Sequence, residues 1–265
     1  MSLLSSLLRR RAAPAPVPIH LSLTDGPVYA VGDTHGCRDL LRGLEALIRA
    51  DAAAFAGRPR VVLLGDMVDR GPDTAGLIDD LLRPLPWGSR MAMRGNHEAM
   101  MLAFLSDPAG HADWLDQGGY ATLMSYGLAL NPAAPLTMAR KRLDQTLTAH
   151  LPDAHLAWLR ALPWFCVVAG AGADGAGVQH WVLAHAGYDP DLGPARQRPD
   201  TLIWGGARPR PGDATGLVHG HVIQSAPDAT TNCIGIDTGA YKTGRLTALR
   251  LVQNRAPSLL SYSDH

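Results

Sequence analysis

Five short stretches of this 265-residue sequence set acidic, imidazole or carboxamide side chains beside glycine: GDTHG (32–36), GDMVDRG (65–71), RGNHE (94–98), LAHAG (183–187) and VHGHV (218–222). The second ends the most apolar run of the chain, VVLLGDMVDRG (61–71). A surface turn would not need so apolar a lead-in, and a core strand would not carry the charges. Asp33, His35, Asp66, Asn96, His185 and His221 together offer only oxygen and nitrogen ligands, with no cysteine among them. Such a set suits manganese, iron or zinc, while the imidazoles argue against a purely magnesium or calcium site. Six ligands exceed what one catalytic ion with open positions takes. A central Asp66 bridging two divalent ions removes the excess. Two ions about 3.5–4 Å apart can hold a hydroxide between them and clamp phosphoryl oxygens.

The elements that must position these groups follow from hydrophobic spacing. PVYAVGD, RVVLLGD and SRMAMRGN read as strands that run into the first three charged loops. Between them, Leu40, Leu41, Leu44, Leu47 and Ile48 share one helical face, and Pro72 opens a helix carrying Leu77, Ile78, Leu81 and Leu82. HEAMMLAFL begins another helix. Strand–loop–helix repetition predicts parallel strands whose C-terminal ends converge on one crevice. Residues 106–160 carry a helical period and no charged glycine turns, which predicts a helical insertion or cap. We expect it to shape access to the crevice, with Trp114 and Tyr120 setting preference among substrates. After Pro163 the texture returns to strands: WFCVVAG and VQHWVLAHAG as a hairpin, then LVHGHV, NCIGID and RLTALRLV. The reading is a mobile arm over residues 1–20 and a single mixed α/β domain over 21–265, with both sheet faces covered.

Composition narrows the function classes. Hydrophobic residues make up 46% and charged residues 18%, as in a globular chain. Lys plus Arg and Asp plus Glu are both 24, so no basic excess argues for nucleic acid or an anionic membrane as partner. Cys37, Cys166 and Cys233 are too few and too scattered for a disulfide framework, which suggests a reducing cytoplasm. No apolar run reaches the length of a membrane-spanning helix. MSLLSSLLRRR puts its arginines after the leucines, the reverse of a secretory signal. His20, His111, His150, His155, His180 and His265 read as surface residues.

At GDTHG, GDMVDRG, RGNHE, HAG and the late GH, the chain resembles the phosphoprotein phosphatases, binuclear-metal enzymes of the calcineurin-like superfamily, and most of all their short bacterial members. The resemblance spans about residues 27–252 and includes the tail IDTGAYKTGRLTALRL. It implies a β-sandwich of mixed sheets flanked by helices, and phosphomonoester hydrolysis by a metal-bridging hydroxide. By motif, Asp33 and His35 would hold the first ion, Asn96, His185 and His221 the second, with Asp66 shared. Arg70 matches the phosphate-binding arginine, His97 the general acid, and Asp69 the carboxylate that orients it. A second phosphate-binding arginine is expected in LIWGGARPRPGD, where Arg208 is the first choice and Arg210 the other. In HGH the register favours His221 as ligand and leaves His219 in a supporting place. Tyr241 matches a tyrosine beside the pocket. The resemblance implies two ions, manganese first with iron or zinc as alternatives. The substrate would be a phosphorylated protein or a small phosphoester. The favoured activity is a serine/threonine protein phosphatase. Diadenosine tetraphosphate hydrolysis is the enzymatic alternative, and a module that binds phosphorylated partners is the non-enzymatic one.

Overall fold

The computed structural model describes residues 15–128, 145–147, 149–170 and 177–264. The start of the arm, the RKRL of the cap, most of the glycine-rich AGADGAG turn and His265 lie outside them. Two five-stranded sheets stack face to face. In the first, β1 (Ile19–Ser22) pairs parallel with β5 (Phe165–Ala169), which pairs antiparallel with β6 (His180–Ala184); β7 (Thr215–His219) and β8 (Cys233–Gly235) follow in parallel. The strand β1 thus takes in Ile19 and His20, the last two residues of the expected arm.

The second sheet runs β10–β9–β2–β3–β4. Here β2 (Val28–Val31), β3 (Arg60–Leu63) and β4 (Ser89–Ala92) are parallel, and β9 (Arg245–Leu251) and β10 (Ser258–Ser263) add antiparallel strands at one edge. Helices α1 (Arg38–Ala52) and α2 (Thr74–Leu82) make the crossovers, and α3 (Asn96–Ser106) follows β4.

Strands β2 and β3 read as unbroken apolar runs because both their faces are buried. Val28, Ala30, Val62 and Leu249 face the other sheet and meet Cys166, Val168, Leu183, Val218 and Ile234. Tyr29, Val31, Val61 and Leu63 face outward under the helices. On α1, Leu40, Leu41, Leu44 and Ile48 are buried, but Leu47 is 41% exposed because it lies at the edge of the apolar stripe. Among the described residues the cap includes a kinked helical turn (Leu115–Gly119), α4 (Tyr120–Ser125) and α5 (Asp153–Ala161). His155, expected at the surface, is only 3% exposed. The packing of α5 against α2 places its ring between the Tyr126 hydroxyl at 2.8 Å and Asp79 at 3.1 Å. No helix among the described residues is long and apolar enough to cross a membrane.

One surface cluster yields a stability prediction. Arg38 grips Asp80 through Nε and NH2 at 2.7 and 3.0 Å, Arg42 through Nε at 2.8 Å, and Arg83 at 3.2 Å. The hydrogen bond from Arg38, more than any other contact, holds this carboxyl well below the usual carboxylate range. A depressed carboxyl stabilises the fold above its unfolded pKa of about 3.9, and that stabilisation is lost as pH falls through the folded value. Asp80→Asn should cost about 1 kcal/mol at neutral pH, or roughly 2–4 °C in Tm. The gap between the variants should narrow steadily below pH ~4. Melting curves at a series of pH values check this, and a gap constant with pH would refute the electrostatic account.

Candidate active site

The charged loops meet along one edge of the sandwich. Six non-glycine residues among those described have positive φ, and five lie here: His35, Asp66, Asp69, Arg70 and His221. Left-handed backbone at such residues costs on the order of 1–2 kcal/mol each and persists only where the surroundings over-determine it. Glycine at 95 and 220 is required by proximity, since a β-carbon at either would collide with a carboxylate oxygen, Asp66 Oδ1 or Asp33 Oδ1 respectively.

Both sheets contribute. From the second sheet come Asp33, His35, Asp66 and Asn96; from the first come His185 after β6 and His221 after β7. Donor atoms of His35, Asp66 and His97 lie within 4.8 Å of one another, as do those of Asp66, His185 and His221, so Asp66 is common to both groups. His185 Nε2 lies 2.8 Å from Asn96 Oδ1, 3.2 Å from His221 Nδ1 and 3.4 Å from Asp66 Oδ2. Asp33 Oδ2 accepts the His221 N–H at 2.9 Å, while its Oδ1 is buried with no hydrogen-bond partner. His219 is held apart, its Nδ1–H donating to the Gly220 carbonyl at 2.9 Å.

Arg70 lies between two imidazoles, donating from NH1 to His35 Nε2 at 3.0 Å and from NH2 to His97 Nε2 at 2.9 Å. A guanidinium only donates, so both Nε2 atoms are acceptors and both rings carry their proton on Nδ1. Those protons go to the Val68 carbonyl at 2.8 Å and to Asp69 Oδ2 at 2.7 Å. Tyr241, 39% exposed, stands edge-on to His35 with ring centroids 5.2 Å apart, and Arg70 lies over its ring at 5.0 Å. Arg208 is exposed and near enough to His219 and His221 to disfavour their charged forms. Arg210 instead pairs with Asp191 at 3.0 Å, outside the cluster.

The structure adds residues that sequence reasoning passed over. Glu98 is fully buried, and its carboxylate accepts the N–H groups of Gly95, Asp66, Met67 and Val68 at 2.7–3.1 Å. It thereby holds the loop that carries Asp66. Its residue type carried no signal of this role, because all four partners are backbone N–H groups. Asp237, from the IDTG stretch, is buried close enough to raise the Asp33 carboxyl further. Trp114, expected to face substrates, is 1% exposed and donates from Nε1 to Asp69 Oδ2 at 2.7 Å.

The electrostatics suit a cation. Burial raises the Asp33 and Asp66 carboxyls and lowers the imidazoles of His35, His97, His185 and His221. Neutral imidazole is the form that ligates a metal, and crowded carboxylates are the charge a divalent ion compensates. The partnerless Asp33 Oδ1 and the convergence on His185 Nε2 fit the same ion chemistry.

A two-sheet sandwich that gathers carboxylates, imidazoles and a carboxamide at its loop ends has the architecture of a metal-dependent phosphoesterase. The chain belongs to the calcineurin-like phosphoesterase family, whose sequence profile matches residues 26–232. That makes it a phosphatase-type hydrolase, against the reading as a binding module. Among its relatives, serine/threonine-protein phosphatase 1 of Salmonella typhimurium is 28% identical over 232 residues, 84% of this chain and 91% of the relative. Bis(5'-nucleosyl)-tetraphosphatase PrpE (asymmetrical) of Anoxybacillus flavithermus is 23% identical over 253 residues, 87% of this chain and 93% of the relative. A crystal structure provisionally named a diadenosine tetraphosphatase shares the fold, with TM-score 0.59 and 22% identity over 95% of this chain and 100% of the other.

Proposed function

We propose that this protein removes phosphate from phosphoserine and phosphothreonine in proteins, with two divalent ions at the cluster. Asp33 and His35 would hold one ion, Asn96, His185 and His221 the other, and Asp66 both. Bound there, the ions would supply an activated water and charge compensation for the phosphoryl oxygens. Arg70 would leave its two histidines and fork onto the phosphoryl group. His97 Nε2, released from Arg70, would take up a proton from solvent to give an imidazolium that Asp69 supports, and would then pass that proton to the departing oxygen while Nδ1–H stays on Asp69. Arg208 is the candidate second clamp on phosphate, and Tyr241 walls the pocket. We further propose manganese as the working metal. Three free cysteines favour a cytoplasmic location.

The observation that carries this reading is the 2.7 Å His97–Asp69 pair beside Asp66. A serine alkoxide is a poor leaving group and needs a proton in the transition state, whereas a nucleotide phosphate leaves far more readily. A histidine supported by a carboxylate for proton donation would therefore favour the phosphomonoester. Hydrolysis of bis-nucleosyl tetraphosphates is the second reading, supported by the near-full-length likeness to the Anoxybacillus enzyme. Parallel assays of manganese-loaded enzyme on phosphoserine peptides, phosphotyrosine peptides and diadenosine tetraphosphate test the choice. We expect the largest kcat/KM on phosphoserine peptides. A preference for the dinucleotide by tenfold or more would replace the first reading with the second.

A further inference from the structure

We propose that Trp114 and Thr122, both from the helical cap, are positioning residues that hold Asp69, and through it His97, in proton-donating geometry. The inference rests on the reading of His97 as proton donor. Asp69 and Arg70 are consecutive residues in left-handed backbone, with φ of 72° and 69°. Two such non-glycine residues in a row are strained, so something must hold them.

The holding contacts come from the cap. Thr122 Oγ1 accepts the Asp69 N–H at 2.7 Å and donates its own proton to Asp69 Oδ1 at 2.8 Å. Trp114 Nε1–H occupies Oδ2 at 2.7 Å beside the His97 proton. The Gly118 carbonyl accepts the Arg70 N–H at 3.2 Å. Both carboxylate oxygens are thus fixed, which leaves the carboxylate no freedom to rotate and sets the plane of the His97 ring. Burial pushes the Asp69 carboxyl up to about 7, and the Thr122 and Trp114 hydrogen bonds oppose that rise.

The local sequence WLDQGG is shaped for this approach. A β-carbon on Gly118 would stand 2.7 Å from Arg70 Cγ, and one on Gly119 would stand 2.6 Å from the Trp114 ring. The backbone kinks at Gly118, where φ is 117°, and the Trp114 indole packs on Phe104 with centroids 4.8 Å apart. Cap residues therefore reach His97 through Asp69, as well as standing beside the crevice.

The test compares Trp114→Phe, Thr122→Val, Thr122→Ser and His97→Ala in metal-loaded enzyme. Each is assayed for kcat and KM on a phosphoserine peptide and on p-nitrophenyl phosphate, with bound metal and Tm recorded. Phe keeps the ring packing without the N–H; Val keeps the shape of Thr without the hydroxyl; Ser restores the hydroxyl. Misplacing a general acid forfeits part of its 10²–10⁴-fold contribution, so kcat on the peptide should fall about tenfold more than on the aryl phosphate. KM and metal content should change little, and Thr122→Ser should recover the peptide rate. Should Trp114→Phe fail to fold, the Thr122 pair decides. Losses equal on both substrates, or no loss, would overturn the inference if His97→Ala itself discriminates between them. If His97→Ala does not discriminate, the proton-donor reading fails first and takes this inference with it.

Discussion

Asp66→Asn is expected to abolish turnover and strip metal while leaving the metal-free fold at least as stable as before. Asp66 belongs to both groups of converging donor atoms, so its loss weakens both proposed ion sites at once. Removing a single preorganised transition-state contact costs about 10²–10³ in kcat. Loss of a ligand shared by two ions should reach or exceed the top of that range. The stability half of the prediction follows from sign. Burial holds the Asp66 carboxyl above its ordinary pKa in the metal-free protein. A group whose folded pKa is raised in this way, if it is a carboxyl, destabilises the fold at pH above its unfolded pKa. A neutral amide removes that penalty, and its oxygen can still accept the His97 N–H that now reaches Oδ1 at 3.0 Å. Elemental analysis and melting curves with and without manganese separate the two halves. A variant that kept two ions and the metal-dependent rise in Tm would show that Asp66 is no shared ligand.

His97→Ala should damage turnover of a phosphoserine peptide far more than turnover of p-nitrophenyl phosphate. In-line displacement leaves negative charge on the departing oxygen, and only the alkoxide needs it quenched by a proton. General-acid assistance is worth roughly 10²–10⁴-fold where it is needed, so the ratio of the two kcat values should move by about that much. Asp69→Asn should give the same bias more mildly, since an amide in place of the carboxylate weakens the hold on His97 Nδ1–H. Arg70→Ala should harm both substrates alike, because the phosphoryl group is common to them. It should also release the Nε2 atoms of His35 and His97 in the free enzyme, both of which Arg70 now engages. Single-turnover measurements keep product release out of the comparison. An equal loss on both substrates for His97→Ala would make that residue a positioner of phosphate or water.

Much of the fold was legible because of where its strands lie. β2 and β3 are buried on both faces, so their residues form continuous apolar runs that announce themselves, and the acids that interrupt those runs mark the crevice. What sequence could not show was the far partner of each side chain. Leu47 has the helical period of its neighbours yet lies at the stripe's edge. Trp114 and His155 are polar-tipped residues in helices, which read as surface or rim until the groups that meet their ring nitrogens are known: Asp69 for the first, Tyr126 and Asp79 for the second. The same blindness hid Glu98, whose partners are backbone N–H groups and so leave no trace in residue type. Spacing alone also treats the two histidines of HGH alike. The backbone separates them: His221, at φ 66°, turns toward Asn96 and His185, while His219 is tied to the next carbonyl.

The hydrogen bond from His221 N–H to Asp33 joins residues 188 apart, and the contacts of His185 with Asn96 and Asp66 likewise cross from one sheet to the other. During synthesis at about 5–20 residues per second, roughly 10–40 s therefore separate the emergence of Asp33 from that of His221. The segment from β2 to the start of α3 carries only four of the six proposed ligands, Asp33, His35, Asp66 and Asn96, and His185 and His221 arrive with β6 and β7. The cluster is therefore a late product of synthesis, assembled only after the two layers have met.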